Sequence, residues 1–290
     1  MVAKVSDVLK NKKRTLSFEA FHPKTPKGVE NLYVVSDALN ELKPDWFSVT
    51  YGAGGSTREL TMDLVSELQK RLGVPTMHHL TCVGHKRAEL EKILTDMRSR
   101  DICNILALRG DPPQLKEGET PVEGDLEYCS ELVEMIRRHG DYFSVGVAGF
   151  PEGHIMAPDR DADAKYLKLK VDAGGDFVIT QLFFNNADYF EYVERLRVLG
   201  VMVPILPGIL PITSYQKTLD FAARCGANIP QRVHDIFKPL VDDEHEIYKA
   251  GLDYAVEQCK ELLAGGAPGL HFYSLNKINP TRELVDRLGI

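Results

Sequence analysis

The chain has 290 residues, 43% of them hydrophobic and 27% charged, with a formal net charge of −7. That length suits one large α/β barrel or two modest domains, and the acidic balance argues against a nucleic-acid surface, which needs clustered Lys and Arg to neutralise phosphate. An anionic ligand must therefore meet a local basic site. Five cysteines, Cys82, Cys103, Cys129, Cys225 and Cys259, form no C-x-x-C pair, which speaks for a reducing compartment and against a structural zinc. The N-terminal segment is short and amphipathic, without a signal-peptide core, and no apolar run approaches a membrane span. A cytoplasmic location is expected.

Strand-like apolar runs are predicted near 14–21, 45–51, 74–81, 103–109, 142–149, 176–183, 202–208 and 269–275, alternating with helical patterns as repeated β-α units do. The amphipathic stretches 28–42, 57–72, 88–100 and 157–173 have the length needed to cross back over a parallel sheet. Further helices over 231–240 and 244–264 lengthen the connection between the seventh and eighth strands. Eight such units predict a single (β/α)8 TIM barrel over residues 1–290, with extra helices between strands 7 and 8. A doubly wound open sheet is the alternative, and no linker or repeat divides the chain.

In a barrel the informative residues are those at the C-terminal ends of the strands. Those ends read Ser17-Phe-Glu-Ala-Phe21, Ser48-Val-Thr-Tyr-Gly-Ala-Gly-Gly55, His78-His-Leu-Thr81, Arg109-Gly-Asp111, Ala148-Gly-Phe-Pro-Glu-Gly-His154, Thr180-Gln181 and His271-Phe-Tyr-Ser-Leu-Asn-Lys277. They carry carboxylates, an amide, histidines and glycine-rich backbone. They show neither metal-ligand spacing nor a Ser or Cys nucleophile beside a base, so no metal site is expected and acyl-enzyme chemistry is not suggested. The Gly52–Gly55 loop is not G-x-G-x-x-G and reads equally well as turn glycines. Asp163 and Lys170 stand seven apart in a helical pattern and so share a face, as an ordinary solvated helix would also arrange them.

Ser17-Phe-Glu19, Val49-Thr-Tyr-Gly-Ala53, His79-Leu-Thr-Cys82, Ala107-Leu-Arg-Gly-Asp111, Asp172-Ala-Gly174 with Ile179-Thr-Gln-Leu-Phe183, Pro207-Gly-Ile-Leu-Pro211 and His271-Phe-Tyr-Ser-Leu-Asn276 together resemble methylenetetrahydrofolate reductase, in motif order and approximate spacing from about residue 14 onward. The resemblance implies a (β/α)8 flavoprotein that uses FAD to pass a hydride from NAD(P)H to 5,10-methylenetetrahydrofolate, yielding 5-methyltetrahydrofolate in a ping-pong cycle. It implies FAD contacts at Thr50, Tyr51, Ala53, His79, Arg109, Gly110, Asp111, Tyr128, Cys129, Phe150, His154, Ala157, Asp163 and Lys170. It implies catalytic roles for Glu19, Asp111 and Gln181, and substrate contacts at Asp111, Gln181, Phe221 and Lys277. A homo-oligomer is expected, and some bacterial relatives work with a second, metal-bearing subunit.

Opening the methylene bridge requires protonating a weakly basic folate nitrogen, a task for a carboxylic acid in surroundings that favour its neutral form. Glu19, between Phe18 and Phe21 at a strand end, is the candidate acid; a rim carboxylate paired with Lys or Arg is the plainer reading of the same residue. Asp111 is placed by the resemblance to hold the pterin and to stabilise the cationic iminium. A non-catalytic flavin- or folate-binding barrel, or a subunit of a larger reductase complex with another electron donor, is the alternative function. Three departures stand out. Relatives commonly read Phe-Glu-Phe-Phe-Pro-Pro where this chain has Phe18-Glu-Ala-Phe-His-Pro23; Gly149-Phe150 replaces a more usual Ala-Tyr; and Lys217 stands where some relatives carry a Gln. The chain ends soon after its eighth strand, so the regulatory extension of the eukaryotic enzymes, and control by S-adenosylmethionine, are not expected.

Overall fold

A computed structural model describes residues 2–52, 58–111 and 124–290. Among them, parallel strands run in chain order: β1 (Thr15–Ala20), β2 (Trp46–Val49), β3 (Thr76–Thr81), β4 (Asn104–Leu108), β5 (Ser144–Gly149), β6 (Phe177–Thr180), β7 (Ile205–Leu206), β8 (Gly208–Ile209) and β9 (Gly269–Tyr273). Around them lie helices α1 (Val5–Asn11), α2 (Pro26–Asn40), α3 (Arg58–Leu72), α4 (Arg87–Ser99), α5 (Cys129–Arg137), α6 (Arg160–Asp172), α7 (Asn186–Val198), α8 (Tyr215–Cys225), α9 (Gln231–Phe237), α10 (Glu244–Ala264) and α11 (Thr281–Leu288). The strand order is β7-β6-β5-β4-β3-β2-β1-β9-β8. Its two ends are consecutive pieces of one chain segment, so the sheet curls into a nearly closed TIM-like barrel and the open-sheet alternative falls.

The seventh strand differs from the single run expected over 202–208. Pro207 has no N–H to donate and interrupts the ladder. Ile205 and Leu206 pair with Val178 and Ile179 of β6, whereas Gly208 and Ile209 pair with His271 and Phe272 of β9. The Pro207 carbonyl still accepts from the His271 N–H at 3.1 Å. One residue thus turns the chain from one neighbour to the other and brings β9 beside β1.

Both faces of each strand are covered, which is why the strands read as apolar runs without a polar side. Leu16, Phe18 and Ala20 of β1 pack outward among the helices with Phe47 and Phe272. Trp46, Met77, Leu106, Phe177, Ile179 and Leu206 point inward and form the barrel floor with Val5 and Leu9 of α1. That helix plugs the N-terminal end of the barrel. Its first N–H groups lack helical partners and are satisfied by strand residues: Val5 donates to Asn104 Oδ1 at 2.8 Å and Ser6 to Ser144 Oγ at 3.0 Å. Polar chemistry is left to the opposite end.

Boundaries move for local reasons. Helix α2 starts at Pro26, two residues before expectation, because Thr25 Oγ1 accepts from the Gly28 N–H (3.1 Å) and Pro suits the first helical turn. Helix α6 starts three residues late because Asp159 caps it through the Ala162 N–H at 2.7 Å. Strand β6 stops at Thr180, short of the expected 183. Leu182 and Phe184 are apolar because they pack under α8 and the added helices α9 and α10, with Tyr215, Val233, Phe237 and Ile247.

Gly149 ends β5 against the Tyr192 hydroxyl: a Cβ there would lie 2.6 Å from that oxygen and 2.7 Å from Val178 Cγ1. The hydroxyl also accepts from the Phe150 N–H at 3.2 Å. The Gly-Phe departure is therefore tied to Tyr192, which fills the space an alanine would need. Gly149→Ala should cost about 1–3 kcal/mol by overpacking, and adding Tyr192→Phe should recover part of that loss; denaturant unfolding of the single and double variants measures both.

Candidate active site

Parallel pairing places all strand C-termini on one rim, and the alternation of β1 sends Ser17 and Glu19 into the barrel. Register sets them opposite His271 and Tyr273 of β9. Glu19 is 6% exposed, and its Oε2 lies 3.5 Å from His79 Nε2 and 3.6 Å from His271 Nε2. Burial holds His79 down at about 4, against the pull of Glu19 and with the support of His271, so this imidazole is neutral near pH 7. Phe18, adjacent in sequence, points away into the helix layer. The surroundings expected for Glu19 from its flanking aromatics are thus replaced by two imidazoles, because the two-residue period of a strand separates chain neighbours.

Beside this centre, β4 runs into Arg109, Gly110 and Asp111. Gly110 has φ 85°, and a Cβ there would lie 2.8 Å from both Thr81 Cβ and Val83 Cγ1, so the turn requires glycine. Arg109 is half-buried and its Nε donates to the Glu127 carbonyl at 3.2 Å, whereas Asp111 is exposed. Tyr128 precedes α5 and keeps 58% of its surface exposed. Cys129 is buried, its thiol donates to the Ala107 carbonyl at 3.1 Å, and burial pushes it up to about 11. Its side chain is part of the packed core.

The loop after β5 carries Phe150 and His154, whose rings meet edge to face at 4.6 Å. Burial lowers His154, which also faces Asp163 and Lys170. The Ala157 N–H closes a turn onto the His154 carbonyl at 2.8 Å. Helix α6 turns Asp163 and Lys170 toward this loop, as their spacing predicts. The Lys170 side chain is partly exposed, but its buried ammonium donates to the Ala148 carbonyl at 2.6 Å and lies 5.8 Å from the Phe150 ring centre. Burial raises Asp163 and lowers Lys170, each opposed by the other.

Other expected positions are more dispersed. Thr50 Oγ1 accepts from the His22 N–H at 2.9 Å, and the Tyr51 ring lies 5.5 Å from that of His78. Gln181 follows β6, and its Oε1 accepts from the Leu182 N–H at 2.9 Å. Phe221 is half-buried on α8, under the Arg224 guanidinium at 5.8 Å, within the satellite core that also holds Tyr273. Lys277 and Lys217 are exposed. Ala53 lies outside the described residues. His22 is half-buried with an unpartnered Nε2 and is lowered by burial.

Two side chains stand within the strand-end motifs without an assigned role. His271 stands beside Glu19 although 252 positions separate them; the signal was the shared parity of Ser17 and Glu19 with His271 and Tyr273, which becomes meaningful once β1 and β9 are known to pair. Glu152, on the loop after β5, accepts from the Asn228 N–H through both carboxylate oxygens, at 3.0 and 3.1 Å. Burial pushes it up to about 7 against that hydrogen bond.

The family model described as methylenetetrahydrofolate reductase matches residues 4–289. The 5,10-methylenetetrahydrofolate reductase of Pectobacterium carotovorum subsp. carotovorum is 35% identical over 275 residues, covering 95% of this chain and 90% of the relative. That of Escherichia coli (strain K12) is 35% identical over 276 residues with the same coverage. Methylenetetrahydrofolate reductase (NADH) 1 of Arabidopsis thaliana is 38% identical over the whole of this chain but over only 51% of its own length; the chain spans about half the length of its plant and yeast relatives. Among solved structures, a Clostridium thermocellum protein described as binding two copies of 5-methyl-5,6,7,8-tetrahydrofolic acid superposes with a TM-score of 0.63 at 15% identity, over 98% of this chain and 97% of that one. At that identity the likeness concerns the fold alone.

The Glu152 shift has a sign that stability measurements can check. An acid that keeps its proton longer when folded makes the folded state bind more protons than the unfolded one, so stability falls as pH rises from the ordinary carboxylate range to about 7. Glu152→Gln should flatten that fall, making the variant progressively more stable relative to the parent across this window. Parallel unfolding curves with no pH trend in the difference would remove the effect.

Proposed function

The chain belongs to the methylenetetrahydrofolate reductase family, and from that premise we propose that it reduces 5,10-methylenetetrahydrofolate to 5-methyltetrahydrofolate, using FAD and NAD(P)H, as a single catalytic domain over residues 1–290. The observation that carries this reading is a buried carboxyl group, Glu19, held between two imidazoles inside the barrel mouth. A cytoplasmic location and a homo-oligomeric assembly, open to a second subunit, complete it. Among the described residues no helix is long and apolar enough to cross a membrane.

The rim is chemically suited to FAD. Arg109 and Lys170 supply cations for a pyrophosphate, Asp163 an acceptor for ribose hydroxyls, and Tyr128 an unusually exposed ring on which a flat base can stack. The glycine turn at Gly110 allows close approach of backbone. Thr50, Tyr51, Ala53, His79, Asp111, Cys129, Phe150, His154 and Ala157 complete the proposed contacts. Bound flavin supplies the two-electron relay between the nicotinamide dinucleotide and the folate.

The chain's own residues do the rest. Glu19 delivers the proton that opens the methylene bridge. Asp111, exposed at the end of β4, holds the amino edge of the pterin and offsets the positive charge of the iminium left on the folate. Gln181 presents its amide nitrogen to the pterin or the nicotinamide amide, Phe221 packs on either ligand, and Lys277 meets the folate's glutamate tail by charge. One mouth serves both ligands, so they occupy it in turn.

Two experiments test this reading. Purified protein should show flavin absorbance, and Glu19→Gln should keep it and be reduced by NAD(P)H at nearly the parent rate, while folate reduction falls by about 10²–10⁴-fold. Folate turnover near the parent rate would remove Glu19 from the chemistry. Initial rates over a grid of both substrates should give parallel double-reciprocal lines; intersecting lines would mean two separate binding places.

A further inference from the structure

The barrel core and the satellite core under α8, α9 and α10 form separate clusters, and the proposed site draws on both. The loop after β5 brings Phe150 and His154 to the flavin position, whereas α8 brings Phe221 to the substrate position. These two pieces are fastened together at the rim. Glu152, on the loop, accepts from the Asn228 N–H through both carboxylate oxygens, at 3.0 and 3.1 Å, and Asn228 lies just past the C-terminal end of α8. Beside that bond, Ile155 of the same loop lies over Gly226, the residue that caps the helix: a Cβ there would come within 2.2 Å of Ile155 Cγ2. Gly226 has φ 72°, so both the turn and the close approach favour glycine.

This contact differs from an ordinary surface ion pair. Arg160, the cation whose charge reaches Glu152, is taken up by Asp188 at 3.0 Å, and Asp188 adds a repelling charge of its own. Glu152 is thus left to a backbone N–H, and burial pushes it up to about 7. Burying a carboxyl group against one backbone donor is costly. What the bond fixes is the distance between the flavin-bearing loop and the end of α8. The loop has anchors of its own, since the Phe150 N–H donates to the Tyr192 hydroxyl at 3.2 Å and the Gly153 N–H to the Phe150 carbonyl at 2.9 Å. At the end of α8, the Ala227 N–H still returns to the Ala222 carbonyl at 2.9 Å, and the next N–H, that of Asn228, reaches across to Glu152.

We propose that Glu152 is a positioning residue: by clasping the end of α8 to the loop after β5, it sets the spacing between the Phe221 ring and the flavin at which the nicotinamide or the pterin is held. It acts through Phe221 and needs no contact with either ligand. This rests on the reductase reading and adds a residue which that reading does not use. Because one mouth serves both ligands in turn, the clasp supports the binding of each. The proton and hydride steps are left to groups on other strands and to the flavin.

The test uses the flavin-loaded protein, with each half-reaction followed by flavin absorbance. Glu152→Leu removes the acceptor and keeps a side chain of similar size, whereas Glu152→Gln keeps an oxygen for the Asn228 N–H. In Glu152→Leu the half-saturating concentrations of NAD(P)H and of 5,10-methylenetetrahydrofolate should each rise by about threefold to tenfold, the scale of one net hydrogen bond. The limiting rates should stay within about twofold of the parent, as expected when only uniform binding is lost, and Glu152→Gln should recover most of the rise. In a Phe221→Ala background the same Glu152→Leu change should move half-saturation by less than about twofold, because the clasp then has no ring to place. An equal rise with and without Phe221, or limiting rates that fall as far in Glu152→Gln as in Glu152→Leu, would make Glu152 merely structural. Unchanged half-saturation in Glu152→Leu would overturn the inference while parent turnover leaves the functional reading standing, whereas parent protein unable to reduce the folate sinks both together.

Discussion

Ring closure at Pro207 is the constraint on which the candidate site depends. A parallel sheet left open would expose two rows of unpaired backbone groups at its edges. Here a residue with no N–H lets the chain pair with β6 before it and with β9 after it. Closure puts β9 between β8 and β1, and only that adjacency sets His271 against Ser17 and Glu19. The floor of the barrel is apolar and plugged by α1, so the polar side chains of the interior collect at the other end.

Burial, more than paired charge, sets the character of that end. It drives His79, His154 and Lys170 toward their neutral forms and raises Asp163 and Glu152. Desolvation penalises the charged state of either sign, so the mouth holds acids and bases whose proton affinities are drawn together. The chain as a whole is acidic, yet Arg109 and Lys170 place positive charge locally, beside the proposed diphosphate position.

The departures from the family pattern read differently once the packing is seen. Loss of the usual Ala-Tyr pair at Gly149-Phe150 is matched by Tyr192, whose hydroxyl occupies the alanine's space and accepts from the Phe150 N–H. A hydroxyl is present near that strand end, delivered from α7. His22, in place of a proline, holds its backbone N–H to Thr50, a bond that a proline could not make. Nothing in the structure explains Lys217, which is exposed on α8.

Sequence by itself determined what depends on neighbours within a few residues. The eight apolar runs and the amphipathic stretches between them follow from periods of 2 and 3.6, the added helices before β9 from the same pattern, and the shared face of Asp163 and Lys170 from their spacing. The motif order was enough to indicate the family. What only the tertiary structure decided are relations between residues far apart in the chain. These are the division of the seventh strand at Pro207, the two imidazoles on Glu19 in place of its flanking phenylalanines, the attachment of Lys170 to the Ala148 carbonyl, and the burial that shifts Glu152. Hydrogen bonds and desolvation act over a few ångströms of space, and chain separation carries no information about that distance until the ring is closed.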